Sequence, residues 1–194
     1  MKAKWMILVF ATTMIAASPV KNGYEVGDTA TDFKLKNVDG KMISMADYKD
    51  AKGYIVIFDC NTCPYSKAYN ERISKLNETY SPKGFPVIAI NANDGAGDTF
   101  DDMVRVAKKK NLKYPYVYDE TQKVARAYGA TNTPHVFVLT KSLKVAYIGA
   151  IDDNARNADE ATKHYVADAV DALLAGKPVP VAKTKAIGCG IKWK

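Results

Sequence analysis

Two cysteines separated by two residues, Cys60 and Cys63 in the stretch FDCNTCP (residues 58–64), are the side chains of this chain best suited to chemistry. Such a pair can cycle between dithiol and disulfide, bind a soft metal ion, or clip two segments together. Its position helps to choose. Upstream, YIVIFD (54–59) is a near-continuous apolar run, as in a strand covered on both faces. Downstream, Tyr65, Tyr69, Ile73, Leu76 and Tyr80 recur every three or four residues, which predicts an amphipathic helix over 64–80. The pair therefore falls where a strand gives way to a helix. A thiol at a helix N-terminus faces unpaired N–H groups and the positive end of the helix dipole, and both favour thiolate. On this reading Cys60 is the nucleophile and Cys63 the resolving thiol, which attacks a mixed disulfide formed on the first. Pro64 suits the first helical turn, where its missing N–H costs little.

Three neighbours complicate the picture. Asp59 precedes Cys60 and would raise its pKa if the two groups were close. Strand alternation could instead turn it toward solvent, or it could transfer a proton. His135, in TNTPHVFV, offers a third soft ligand and opens an alternative reading of Cys60, Cys63 and His135 as a Cu(I) site. A single CxxC excludes a four-cysteine zinc site. Cys189, the third cysteine, lies between Gly188 and Gly190 near the C-terminus. It could resolve a disulfide with Cys60, pair between chains or stay free, on a tail docked through Trp193.

The elements around these residues alternate. Short strands flank a turn at Asn37–Gly40, and FPVIAINA (85–92) supplies a second buried strand. A polar loop, NDGAGD, precedes a helix with Phe100, Met103, Val104 and Ala107 on one face. Then follow YPYVYD, a short helix ending at Gly129, and two strands, PHVFVL (134–139) and KVAYIGAI (144–151). A last helix is expected to start at an Asn157 cap with Glu160 three residues on, and to stop at Gly176. A hairpin, alternating strands and helices, and a closing strand pair with a helix predict an α/β fold: a mixed central sheet flanked by helices.

The net charge of +7 over 194 residues is concentrated at the ends. Lys2 and Lys4, with Lys177, Lys183, Lys185, Lys192 and Lys194, account for it; the other 21 basic residues match the 21 acidic ones. The body shows no basic face of the kind that reads nucleic acid. Residues 1–18, MKAKWMILVFATTMIAAS, have the positive start, apolar stretch and small-residue end of an export signal. The expectation is a periplasmic or extracellular protein, tied to a membrane only if that leader is retained. Three units are expected: the leader 1–18, a domain over 19–180, and a basic tail over 181–194 carrying Cys189.

FDCNTCP after an apolar strand, together with YGATNTPHVFVL, resembles the thioredoxin superfamily. The segments CNTCPYSKAYNERI, AINAND, ARAYGATNTPHVFV and IGAIDDN are similar to those of exported redoxins of the AhpC/TSA-related and TlpA-like group. The resemblance implies a thioredoxin-like fold and a loop, Thr133 with a cis Pro134, that packs beside the CxxC and receives a substrate backbone. It implies thiol–disulfide exchange with a thiol or disulfide protein and an electron donor or acceptor, with no organic cofactor. A peroxidase is the alternative. Peroxiredoxins carry Pro-x-x-x-Thr-x-x-Cys, whereas the key positions before Cys60 are Ile57 and Gly53, and those before Cys63 are Cys60 and Val56. Thioredoxins carry Trp before the first cysteine and Gly-Pro between the two; this chain has Asp59 and Asn61-Thr62.

Overall fold

A computed structural model describes residues 23–194; the leader lies outside the described residues. Seven strands form one sheet: β1 (Leu35–Asn37), β2 (Met42–Ile43), β3 (Gly53–Phe58), β4 (Val87–Asn91), β5 (Tyr116–Tyr118), β7 (His135–Thr140) and β8 (Val145–Gly149). Their spatial order is β2-β1-β5-β4-β3-β7-β8. β3, β4 and β5 run parallel, joined by crossover segments that carry α1 (Pro64–Tyr80) and α2 (Phe100–Lys110). β7 is antiparallel to β3, and β8 to β7. The remaining elements are α3 (Lys123–Tyr128), α4 (Tyr165–Leu174) and a two-stranded ribbon of β6 (Asn132–Thr133) with β9 (Cys189–Gly190).

Strand alternation sorts the core onto two faces. Ile55 and Ile57 of β3 join Tyr69, Ile73 and Leu76 of α1 and Val166 and Val170 of α4. Val56 and Phe58 point the other way, into a cluster with Phe33, Phe137, Ala125 and Tyr128. Every residue of β3 is buried, as its unbroken apolar run requires. The sheet is therefore sandwiched, and the end of β3 that delivers the CxxC is held between two packed layers.

The expected cap at Asn157 behaves differently. Asn157 does accept from the Asp159 N–H, but it caps only a single 3-10 turn, Ala158–Glu160. The N–H groups of Thr162 and Lys163 then donate to the Asp153 carboxylate at 2.9 and 3.1 Å. That side-chain acceptor offers these N–H groups an alternative to helical bonding. The helix starts only at Tyr165, after His164, and ends before Gly176 in the left-handed region as expected. Residues 181–194 lie against the body: Ile191 is buried, and Ile148 pairs with Lys183. Trp193 stays 40% exposed beneath the Arg126 guanidinium, so the tail is held chiefly by Ile191 and its backbone bonds. Among the described residues no helix is long and apolar enough to cross a membrane.

Candidate functional site

β3 ends at Phe58, and the Asp59 N–H still reaches across to the Ile90 carbonyl at 2.8 Å. The chain then leaves the sheet through Cys60-Asn61-Thr62 and enters α1 at Pro64, so that Cys63 is the N-cap. This shifts the helix argument by three residues. The unpaired N–H groups and positive dipole end serve Cys63, not Cys60, because the intervening loop keeps Cys60 one step before the helix.

The loop between the two cysteines is clamped by a residue that sequence reasoning passed over. Asp98, fully buried, accepts from the Asn61 N–H at 2.7 Å, the Thr62 hydroxyl at 2.6 Å and the Asn91 side-chain amide at 3.0 Å. Tyr116 donates its hydroxyl to Asn61 Oδ1 at 3.0 Å, and the Asn61 amide donates to the Gly97 carbonyl at 2.9 Å. Gly97 is needed there, since a Cβ on it would stand 2.6 Å from Thr62 Cγ2. The only sequence signal was an acid in the loop NDGAGD, indistinguishable from a solvated one.

Across from the loop, the Thr133–Pro134 peptide bond is cis. Thr133 Oγ1 lies 3.0 Å from Cys60 Sγ, and the Cys63 thiol donates to the Thr133 carbonyl at 3.2 Å. The structure thus brings Cys60, Cys63, Thr133 and Pro134 into one cluster, with both sulfurs largely buried. Cys189 joins them: β9 pairs with β6 so that Cys189 opposes Thr133, whose carbonyl receives the Cys63 thiol, and the Cys63 and Cys189 thiols influence one another's ionisation.

The three thiols differ electrostatically. Burial pushes the Cys60 thiol up; the Thr133 contact only partly offsets this, and the Asp59 and Asp98 carboxylates add to it. Burial acts against the Cys63 thiolate too, but hydrogen bonds from the Cys189 side chain and from the Ser66, Cys189 and Tyr65 backbone outweigh it and hold the thiol below its ordinary value. Cys189 is pushed up to about 11, first by burial and then by its bond with Cys63. Of the three, Cys63 is the one poised to ionise.

Asp59 is not solvated. It is buried, its Oδ1 has no hydrogen-bond partner, and burial pushes its pKa up to about 6 despite a bond from Ser66. Ser66 Oγ lies 3.8 Å from Cys60 Sγ and is also the side chain that most offsets the rise at Asp59, so it stands between the two groups. His135 is buried and held neutral, its pKa lowered to about 4 by burial and then by Lys183. Its Nδ1 accepts from the Thr131 N–H at 3.3 Å and its ring packs on Phe137. It is not grouped with the cysteines: among the described residues no cluster of three His, Cys, Asp or Glu side chains could hold a metal ion.

Two outcomes follow from this geometry. Asp59 prefers to be protonated in the folded protein, so its contribution to stability is lost as pH rises from about 4 through about 6. Asp59→Asn should therefore stabilise the reduced protein by about 3 kcal/mol at pH ~7.5, with the gain vanishing below pH ~4. Chemical unfolding at the two pH values measures this. Asp98→Ala removes the acceptor of the buried Asn61 N–H, the Thr62 hydroxyl and one Asn91 amide bond, and should destabilise by about 3 kcal/mol, more than Asp98→Asn. A loss under ~1 kcal/mol in denaturant unfolding would mean the loop is held by other contacts.

Comparison with known proteins places the molecule. The AhpC/TSA family model matches residues 26–148. The crystal structure of an uncharacterized conserved protein from Geobacillus kaustophilus superposes with a TM-score of 0.83 at 39% identity, covering 89% of this chain and 94% of that one. Thiol-disulfide oxidoreductase ResA of Geobacillus thermodenitrificans is 28% identical over 128 residues, 66% of this chain and 71% of the relative. A thiol:disulfide interchange protein DsbE structure from Chlorobium tepidum shares the fold, with a TM-score of 0.63 at 20% identity, over 77% of this chain and 98% of that one. The molecule has a thioredoxin-like fold, and the chain belongs to the AhpC/TSA family of redox enzymes within the thioredoxin superfamily.

Proposed function

We propose that the protein is an exported thiol–disulfide oxidoreductase in which Cys63 attacks and Cys60 resolves. The observation that carries this is the position of Cys63: N-cap of α1, with a thiol held below its ordinary pKa, one turn of loop away from a second, protonated thiol. The assignment reverses the roles expected from the motif, because the helix opens after the second cysteine.

The Cys63 thiolate attacks one sulfur of a substrate disulfide. A Cys63–substrate disulfide forms, and the other substrate sulfur leaves as thiolate. Cys60 must then lose its proton. The Asp59 carboxylate, reached through Ser66, is a buried acceptor whose raised pKa suits it to hold that proton near neutral pH. Cys60 attacks Cys63 Sγ, the substrate leaves as a second thiolate, and the Cys60–Cys63 disulfide retains the oxidation. Run backward, the same steps oxidise a dithiol. The dithiol itself carries the two electrons, so no organic cofactor is required. Thr133 and Pro134, beside both sulfurs, form the edge against which a protein substrate's backbone would lie.

Export enters this reading through the leader, Lys2 and Lys4 followed by the apolar run to Ala17, and would place the pair where disulfides persist. Family membership keeps a peroxidase in view. A peroxidase must stabilise charge developing on the leaving oxygen with fixed donors, and the positions before Cys63 that would supply them hold Cys60 and Val56. A Cu(I) carrier would have two sulfurs but not His135, whose Nδ1 is engaged by Thr131.

The test compares rates of the reduced protein with a small aromatic disulfide and with hydrogen peroxide. Disulfide exchange should exceed that of a free thiol and inflect below the ordinary cysteine pKa of about 8.5. It should fall at least ~100-fold in Cys63→Ser, while Cys60→Ser keeps the first attack. Peroxide should react no faster than with free thiol. Fast peroxide consumption would make this a peroxidase, and full activity in Cys63→Ser would return the attack to Cys60.

A further inference from the structure

The family match ends at residue 148, but the chain beyond it comes back to the site. β9 lies antiparallel on β6, with Asn132 opposite Gly190 and Thr133 opposite Cys189. The Ile191 N–H donates to the Thr131 carbonyl, and the Asn132 side-chain amide to the Gly188 carbonyl, both at 3.0 Å. Just beyond, the Lys192 N–H donates to Asn93 Oδ1 at 2.9 Å, and its carbonyl accepts from Gln122 at 2.8 Å. Gly188 makes the approach possible: a Cβ there would stand 2.1 Å from the Thr133 carbonyl oxygen. Strand addition along a free backbone edge is how extended peptides dock on proteins. Here the docked strand is the chain's own, and it carries a thiol.

We propose that residues 186–192 act as a built-in peptide substrate, and that Cys189 takes the place of a substrate cysteine and exchanges disulfide with Cys63. This rests on Cys63 being the attacking thiol. Cys189 thiolate attacks Cys63 Sγ of the Cys60–Cys63 disulfide. The Cys63–Cys189 bond forms, the Cys60–Cys63 bond breaks, and Cys60 leaves as thiolate and takes up the proton that Cys189 released. Nothing is oxidised or reduced overall, so no further reactant is required. Burial is the main reason Cys189 stays protonated; reduced Cys63 adds to that effect, and a disulfide on Cys63 removes the addition. An incoming peptide that pairs with Thr133 must also displace β9, so the tail competes with substrates for the same edge.

The experiment treats reduced full-length mature protein with oxidised glutathione, quenches with acid, and maps the disulfides by mass spectrometry without reduction. Wild type, Cys60→Ser and Cys60→Ser/Cys189→Ser are compared. In Cys60→Ser, glutathione should add to Cys63 and then be expelled, leaving a Cys63–Cys189 peptide within one chain. In the double variant it should stay on Cys63. Wild type should yield Cys60–Cys63 and Cys63–Cys189 peptides together. Glutathione retained on Cys63 in Cys60→Ser, a Cys189 link between chains, or no Cys63–Cys189 peptide in wild type would each overturn the proposal while leaving Cys63 as the attacking thiol. No glutathione on Cys63 in the double variant, and none of these linkages in the others, would overturn both readings.

Discussion

Thr133 meets every cysteine of the chain. Its hydroxyl lies against Cys60, its carbonyl receives the Cys63 thiol, and its backbone pairs with Cys189. This one residue can reach all three because of where the sheet puts it. β7 runs antiparallel beside β3, pairing His135 with Phe58, so the residue before the cis Pro134 emerges next to the end of β3 where the CxxC begins. The layered core on both faces fixes that register; a slip by one residue would turn Phe58 and His135 to the wrong sides. The chemistry of the site thus depends on the strand pairing that ends at Phe58 and His135, just before the first sulfur.

The site gathers two buried thiols, the half-buried thiol of Cys189 and two buried carboxylates, and keeps them apart in character by different means. Asp98 is fully engaged, accepting three hydrogen bonds that tie down the loop between the cysteines. Asp59 is left with an unpartnered oxygen, and burial favours its protonated form. An acid that is costly to ionise beside a thiol that is costly to ionise makes a proton store rather than an ion pair. Cys63 alone stands at a helix N-terminus, with the tail strand beside it, and its thiol is the one shifted down. Its pKa and those of Cys60 and Cys189 are driven apart, which is what separates an attacking thiol from a resolving one.

Much of this was legible in the sequence, and the exceptions have physical causes. The unbroken run of β3 and the spacing of Tyr69, Ile73 and Leu76 reported a covered strand and an amphipathic helix, because burial acts directly on hydrophobic pattern. Thr133 and Pro134 were placed beside the CxxC only through the family resemblance; no local pattern joins residues so far apart in the chain. The helix start at Pro64 was legible, but the cysteine at the helix end was not: Asn61 and Thr62 are held out of the helix by Asp98, a long-range partner, so Cys63 rather than Cys60 is the N-cap. Asn157 failed as a helix cap for a similar reason, since Asp153 captured the next N–H groups. Cys189 was visible as an odd thiol between glycines, but Gly188 explains itself only against the Thr133 carbonyl it allows close.

The proposed mechanism requires Cys63 to be the most readily ionised of the three thiols. Residue-resolved alkylation of the reduced protein, followed by mass spectrometry across a pH series, measures each inflection directly and does not depend on how fast a reagent reaches each sulfur. The expected result is an inflection for Cys63 below the ordinary cysteine range, with Cys60 and Cys189 above it. A Cys60 inflection lower than that of Cys63 would contradict it.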